Sequence, residues 1–298
     1  MARLRSPIHW LGGKTRLASK IVEIIDEIPH RVYCEPFGGG ASVLLAKRPS
    51  KVEVYNDIDS GLVNFFRVLA DPVLFERFYE LVSTFPFSRE LYSEYFETWA
   101  EQEDPAIMAA QWFYIARQSF GGKLKRYNWA VSVRVNHSLR RWRRPIAQLP
   151  EIHQRLLSVA IEHVDWRHAI ELYDSDETLF YLDPPYLPET RKEGLGASYA
   201  HELSREDHEE LLQILAYKIK GSFAISGYEN ELYDSILLPI GCKKYKWEIT
   251  CDFTPRTRSM GTRGRKIGQM QEHRRAECLW VLGRGTGQLK LPLETVER

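Results

Sequence analysis

The stretch Val32-Tyr33-Cys34-Glu35-Pro36-Phe37-Gly38-Gly39-Gly40-Ala41-Ser42 decides the fold. Residues 32–34 form a short apolar run, the signature of a buried strand. The strand runs into Glu35-Pro36-Phe37, and the glycines that follow permit a tight turn and close approach of a ligand to the backbone. A helix begins near Ala41. Upstream, Leu17, Ile21, Ile24 and Ile25 recur at helical spacing after Gly12-Gly13-Lys14, and Pro29 stops that helix. Downstream, residues 51–55 alternate like a strand and end in Asn56-Asp57. Helix, strand, helix, strand in this order argues for a parallel sheet with helices on its faces.

The pattern changes after Leu69. Residues 72–117 are rich in aromatics at helical spacing, with Pro72 and Pro105 at helix starts. Residues 118–150 read as irregular and very basic. Strand signals resume at 160–164, 178–182, 222–226, 245–251 and 276–282, and Leu211, Leu212, Leu215 and Ile219 mark a helix over 205–219. Seven strands result. The expected fold class is α/β: one α/β domain made of residues 1–70 and 151–298, with a mostly helical domain, 71–150, inserted between its second and third strands.

Of the 298 residues, 44% are hydrophobic and 27% charged, which suits a globular protein with a real core. No run approaches the ~18 apolar residues of a membrane span. No apolar segment follows Arg3 and Arg5, so no secretory signal is expected. Cys34, Cys242, Cys251 and Cys278 form no CxxC pair, so a bound metal is not expected. Three of them, Cys34, Cys251 and Cys278, sit in apolar runs and read as core residues of a cytoplasmic protein with reduced thiols.

The formal charge of +1 hides an asymmetry. Arg117, Lys123, Lys125, Arg126, Arg134, Arg140, Arg141, Arg143 and Arg144 follow one another with no Asp or Glu among them. A second run holds Arg256, Arg258, Arg263, Arg265, Lys266, Arg274 and Arg275 against Glu272 alone. Together they take 16 of the 41 basic residues and one of the 40 acidic ones, so the rest of the chain is acidic. Either run alone is also what a solvated basic loop looks like. Their segregation favours a polyanion-binding face. Phe120, Tyr127, Asn128, Trp129, Asn136 and Trp142 interleave with the first run and suit stacking on or bonding to bases. Gly261, Gly264 and Gly268 make the second run read as a loop that orders on a ligand.

Asp183-Pro184-Pro185-Tyr186 follows the apolar run 178–182. Two prolines cannot continue a strand, so the chain turns at its carboxyl end, where open α/β sheets bind ligands. Asp183 and the Asp183 and Pro184 carbonyls are acceptors, and Tyr186 offers a flat face, a set that suits a planar amine. Asp57 lies 22 residues after Glu35 at the end of the next strand, a placement that suits ribose hydroxyls. The nicotinamide fingerprint is incomplete, because Val43 stands where its third glycine belongs. Trp10-Leu11-Gly12-Gly13-Lys14 puts a ring and an ammonium before a helix, as a ligand site or as a simple cap. Asp165-Trp166, at the end of the third strand, reads either as an adenine contact or as a helix N-cap.

These pieces in this order resemble the Dam-like, D12 or α group of DNA adenine-N6 methyltransferases, over most of the chain. The resemblance implies a Rossmann-like seven-stranded methyltransferase sheet with an inserted target-recognition domain. It implies S-adenosylmethionine as cofactor and double-stranded DNA as partner. Trp10 and Lys14 would contact the methionine portion, with Lys14 facing its carboxylate, and Gly12 and Gly13 between them belong to the same cofactor motif. Glu35, Pro36, Phe37, Gly38 and Gly40 would form the glycine-rich motif, Asp57 would bind the ribose, and Asp165 and Trp166 the adenine ring. Asp183, Pro184, Pro185 and Tyr186 would be catalytic, with Asp183 near both cofactor and target. Arg117, Ser119, Phe120, Lys123, Lys125, Arg126, Asn128, Arg134, Asn136, Arg140 and Arg141, with Arg256, Arg258 and Arg263, are the candidate DNA contacts. Two other readings stay open at this point: amine methylation of RNA or protein, and a DNA-binding regulator without activity.

Overall fold

The computed structural model describes residues 4–10, 12–119, 129, 135–190, 201–250 and 274–284. Among them, seven strands form one sheet: β1 (Val32–Glu35), β2 (Val52–Asn56), β3 (Val159–Glu162), β4 (Thr178–Leu182), β5 (Ser222–Tyr228), β6 (Lys243–Thr250) and β7 (Arg274–Leu282). Their order is β3-β2-β1-β4-β5-β7-β6. The first five are parallel, while β7 lies antiparallel between β5 and β6. All five residues of β4 are buried, as expected for a central strand covered on both faces. The chain runs outward from β1 to β2 and β3, then returns to place β4 on β1's other side. That reversal opens a crevice above the carboxyl ends of β1 and β4.

Helices α1 (Ala18–Ile25), α2 (Ser42–Ala46), α3 (Ser60–Ala70), α9 (Trp166–Tyr173), α10 (Arg205–Gln213) and α11 (Glu231–Leu237) accompany the sheet. Five more fill the interval between β2 and β3 after α3: α4 (Pro72–Thr84), α5 (Arg89–Thr98), α6 (Pro105–Gln118), α7 (Val135–Ile146) and α8 (Leu149–Leu156). Asp71 caps α4 by accepting from Val73 and Leu74 N–H, and Asp104 caps α6 by accepting from Ala106 and Ile107 N–H. Each acid precedes a proline whose missing N–H costs the first turn nothing.

Strand alternation sends neighbouring residues to opposite faces. Tyr33, Tyr55 and Tyr181 join one apolar cluster, and Cys34, Val54 and Phe180 join the other. The first cluster continues into Phe78, Trp112, Phe113 and Trp142 of the interposed helices. These helices therefore share a core with the sheet.

Residues 118–150 were expected to be irregular, but α7 and the start of α8 lie there. The dense arginines hide Trp142, Ile146, Leu149, Ile152 and Leu156, which recur every three or four residues and are all buried. Trp142 packs on Phe113 and Tyr114, so it is an anchor in the core and not a base-stacking ring. The third strand ends at Glu162, two residues earlier than expected, and Arg274 and Arg275 open β7 instead of closing a loop. The rest of the second basic run lies outside the described residues.

At the sheet's opposite end, a buried charge network ties α8 to β2. Lys47 Nζ donates to Glu53 Oε1 at 2.7 Å, and Arg155 donates to the same oxygen at 2.8 Å. Arg155 also donates to the Leu44 carbonyl. Removing the carboxylate leaves two cations buried without a counterion. Glu53→Ala is expected to lower unfolding free energy by about 3–5 kcal/mol in a denaturant titration; a loss below about 1 kcal/mol would contradict this role.

Candidate active site

The carboxyl ends of β1, β2 and β4 meet around a cavity of about 300 Å³. Its wall includes Trp10, Gly12, Gly13, Lys14, Glu35, Pro36, Phe37, Gly38, Gly40, Asp57, Asp165, Trp166 and Asp183, so all thirteen residues expected at a cofactor come together there. Pro184 and Pro185 also line it.

The glycine-rich turn is built tightly. A Cβ on Gly38 would lie 2.2 Å from the Tyr55 ring, so nothing larger than glycine fits. Gly39 has φ +48 and gives its N–H to Asp57 Oδ2 at 2.8 Å. Tyr55 donates to the Gly39 carbonyl. Ala41 also takes a left-handed φ of 52, a strained choice for a residue with a Cβ, at the start of α2. Trp10 lies against Gly39 and Gly40 and packs on Trp112 of α6, with centroids 6.0 Å apart.

Asn56 was not singled out by its sequence position. Its amide donates to the Pro36 and Val164 carbonyls, and its oxygen accepts from Val164 N–H. It locks together the segments that follow β1 and β3. An asparagine at the end of an apolar strand, just before an acid, was the available signal. Asp165 is both things its position allowed: it caps α9 by accepting from Arg167 N–H, and it lines the cavity. It stands three residues beyond β3. Trp166 is buried beside Phe37, with centroids 6.0 Å apart.

Lys14 has a partner that its position in the sequence did not indicate. Its ammonium donates to both Asp183 oxygens, at 2.6 and 2.8 Å, and to the Gly12 carbonyl. The reason is electrostatic: the side chain is 5% exposed, and an ammonium buried that deeply needs a counterion. Burial would lower the Lys14 ammonium, but Asp183 and Glu277 outweigh burial and hold it above its ordinary value. Burial pushes the Asp183 carboxyl up, and Lys14 pulls it back. Lys14 also lies 4.8 Å from the Tyr186 ring centroid. Tyr186 is 4% exposed.

Among the described residues Glu35 has no ion pair, and Lys47 acts on it only from a distance. Tyr33 donates to it at 2.7 Å, yet burial still pushes its carboxyl up to about 8. Asp57 is likewise raised by burial, against the N–H groups of Asp59 and Gly39. Buried carboxylates without ion pairs among the described residues, flat rings and backbone N–H groups in one cavity suit a cationic ligand carrying a ribose and a heterocycle.

Residues 10–249 match the model of the D12 class N6 adenine-specific DNA methyltransferases. The chain belongs to that family. Among similar proteins, the Type II methyltransferase M1.LlaDCHI of Lactococcus lactis subsp. cremoris is 30% identical over 224 residues, covering 70% of this chain and 75% of that protein. The DNA adenine methylase of Escherichia coli (strain K12) is 24% identical over 219 residues, covering 72% and 76%. The Type II methyltransferase M.MjaIII of Methanocaldococcus jannaschii is 27% identical over 202 residues, covering 61% and 68%. The family transfers a methyl group from S-adenosylmethionine to the N6 amine of adenine in DNA. That cofactor carries a ribose, an adenine ring and two cationic centres, so the cavity's acids and rings fit it.

The expected DNA contacts are placed unevenly. Arg140 is exposed on α7, with Arg143 and Arg144 beside it. Arg117 sits half-buried near the end of α6. Ser119 is 2% exposed and shares a 2.7 Å hydrogen bond with Tyr92 OH, so its hydroxyl serves the interior and is not offered to DNA. Phe120, Lys123, Lys125, Arg126, Asn128, Arg134, Arg256, Arg258 and Arg263 lie outside the described residues, as do the side chains of Asn136 and Arg141. Arg89 stacks over Trp129 at 4.5 Å, a cation beside the basic run that sequence reading missed. Among the described residues, no helix is long and apolar enough to cross a membrane.

Glu35 makes the ligand-free site pH-sensitive. Between its ordinary 4.5 and about 8, folded Glu35 keeps a proton that the unfolded chain has lost, so folding stability falls as pH rises through that window. Glu35→Gln is expected to melt above the wild type without cofactor, with an advantage that grows as pH rises through this window. The same variant should bind S-adenosylmethionine more weakly by calorimetry. A melting difference flat with pH would contradict the burial of Glu35.

Proposed function

We propose that this chain methylates an adenine flipped out of double-stranded DNA at a specific sequence, and that Asp183, Pro184, Pro185 and Tyr186 form the centre of the transfer site. The observation that carries this reading is the largely buried Lys14–Asp183 pair in the wall of the cavity. It supplies a carboxylate held rigidly beside a cofactor-sized space, with a tyrosine ring behind it.

Glu35 would face the cofactor's ammonium, Asp57 its ribose, and Asp165, Trp166 and Phe37 its adenine ring. Trp10, Gly12, Gly13 and the turn at Gly38 and Gly40 would shape the wall. When bound, S-adenosylmethionine supplies an electrophilic methyl group on a sulfonium. Flipping the target costs a few kcal/mol of stacking and pairing. Tyr186 offsets part of that cost by stacking on the base. For the base to reach it, Lys14 must yield some of the space above the ring.

Adenine N6 is a weak nucleophile because its lone pair is shared with the ring. Asp183 and the Pro184 carbonyl accept its two hydrogens and favour a more tetrahedral nitrogen. The carboxylate then stabilises the charge that develops on N6. That nitrogen's proton becomes acidic only as the methyl arrives, and Asp183 Oδ, with a proton affinity raised by burial, accepts it. Positioning contributes the remainder.

Residues 71–150 would read the DNA, and residues 1–70 and 151–298 would carry the chemistry, in the cytoplasm. The exposed arginines of α7 support the first assignment. The intact Asp183 to Tyr186 set argues against an inactive regulator. Asp183→Asn is expected to lower methyl transfer by roughly 10²- to 10⁴-fold while DNA binding persists; transfer at the wild-type rate would sink the assignment. Replacing Arg140, Arg143 and Arg144 with serine should weaken DNA binding and flatten its dependence on salt. An unchanged slope would remove α7 from the DNA interface.

A further inference from the structure

Tyr186 is held from two sides by residues that none of the motifs contains. Its hydroxyl donates to Glu277 Oε2 at 2.6 Å, and its ring meets the Tyr228 ring edge to face, with centroids 4.6 Å apart at 73°. Both partners come from the antiparallel part of the sheet. In the β5–β7 ladder Tyr228 stands directly opposite Glu277, and on the other side of β7 Glu277 stands opposite Trp247. Alternation along β7 puts Glu277 on the same face as Leu279 and Val281, which share a core cluster with Tyr181 of β4. The antiparallel strand thus delivers a carboxylate to the far end of the Tyr186 ring.

A hydroxyl on a ring only 4% exposed needs a protein partner. Here the hydroxyl is spent on an ionisable acceptor, a stronger and more directional bond than one to a neutral group. Pro184 and Pro185 fix the backbone leading to Tyr186, but they leave its side-chain torsions free. The bond to Glu277 and the edge contact with Tyr228 settle those torsions.

We infer that Glu277 is a positioning residue for methyl transfer: it holds Tyr186 by its hydroxyl, so that the ring presents one fixed face to the flipped adenine. This rests on the reading of Tyr186 as the stacking residue. Tyr228 supports the same ring from its edge. Without Glu277 the ring tilts, the base is bound off line from the methyl donor, and an error of about 1 Å is enough to slow the reaction strongly.

The test is a double-mutant cycle on the full-length protein. It measures single-turnover methyl transfer from radiolabelled S-adenosylmethionine to DNA from a methylation-free host. The variants are Tyr186→Phe, Glu277→Ala, their combination, and Glu277→Gln. Tyr186→Phe and Glu277→Ala are each expected to slow transfer by about tenfold or more, with the KM for S-adenosylmethionine unchanged. The combination should be no slower than Glu277→Ala alone: both variants remove the Tyr186–Glu277 bond, and Glu277→Ala also takes away a negative charge that acts on Lys14. Glu277→Gln, which keeps an acceptor, should recover most of the rate. Tyr186→Phe at the wild-type rate, or a combination whose loss is the product of the two, would overturn the role of Glu277; the first holds even if Glu277→Ala fails to fold. Tyr186→Ala separates the two readings. Slow transfer with Tyr186→Ala but wild-type transfer with Glu277→Ala removes Glu277 alone, whereas wild-type transfer with Tyr186→Ala removes the stacking role on which it rests.

Discussion

An ammonium and a carboxylate from segments 169 residues apart in the chain meet at 2.6 Å in the wall of the cavity, and the site is built around that contact. Taking two charges out of water is costly, and their attraction repays the cost only with good geometry and further hydrogen bonds. Lys14 meets that condition by donating to both Asp183 oxygens and to the Gly12 carbonyl. The pair draws the N-terminal segment across the ends of β1 and β4. Trp10 is thereby laid against the glycine turn, with its ring on Trp112 of the interposed helix α6. One electrostatic contact thus joins the strand carrying Asp183, the turn beside the cofactor cavity and the helices between β2 and β3.

Two of the cavity's other acids, Glu35 and Asp57, have no ion pair among the described residues. Glu35 is raised to about 8 and Asp57 is raised as well, both by burial. In a ligand-free protein this is a liability. For an enzyme whose cofactor carries positive charge it is preorganisation, because the ligand brings the counter-charge that the fold withholds. The buried acid at the sheet's opposite end is different. There Glu53 is matched by both Lys47 and Arg155.

The amino-acid sequence made much of this legible, and the reasons are local. The strand and turn at 32–42, the acid at 57 and the prolines at 184 and 185 each constrain backbone conformation within a few residues. That is why the parallel sheet and the set of cavity residues were readable. What was hidden depends on long-range pairing. The partner of Lys14 lies 169 residues away. Asn56 works through carbonyls on two other segments, and Glu277 reaches Tyr186 only because β7 slots between β5 and β6. Helix α7 was missed for a different reason: its arginines dominate its composition, while Trp142 and Ile146 carry its packing. Ser119 shows the same confusion in reverse, a polar residue in a basic stretch that serves the interior.

The measurement that bears most directly on the central pair is the pH dependence of single-turnover methyl transfer by Lys14→Met, at saturating cofactor and DNA. Without the ammonium, the main offset to the burial of Asp183 is gone and only the Tyr186 hydroxyl still opposes it, so its carboxyl is protonated over a wider range of pH. The expected result is a rate depressed by at least about tenfold at neutral pH and regained as pH rises. A rate equal to the wild type's, with the same pH profile, would contradict the claim that Lys14 holds Asp183 ready for the target amine.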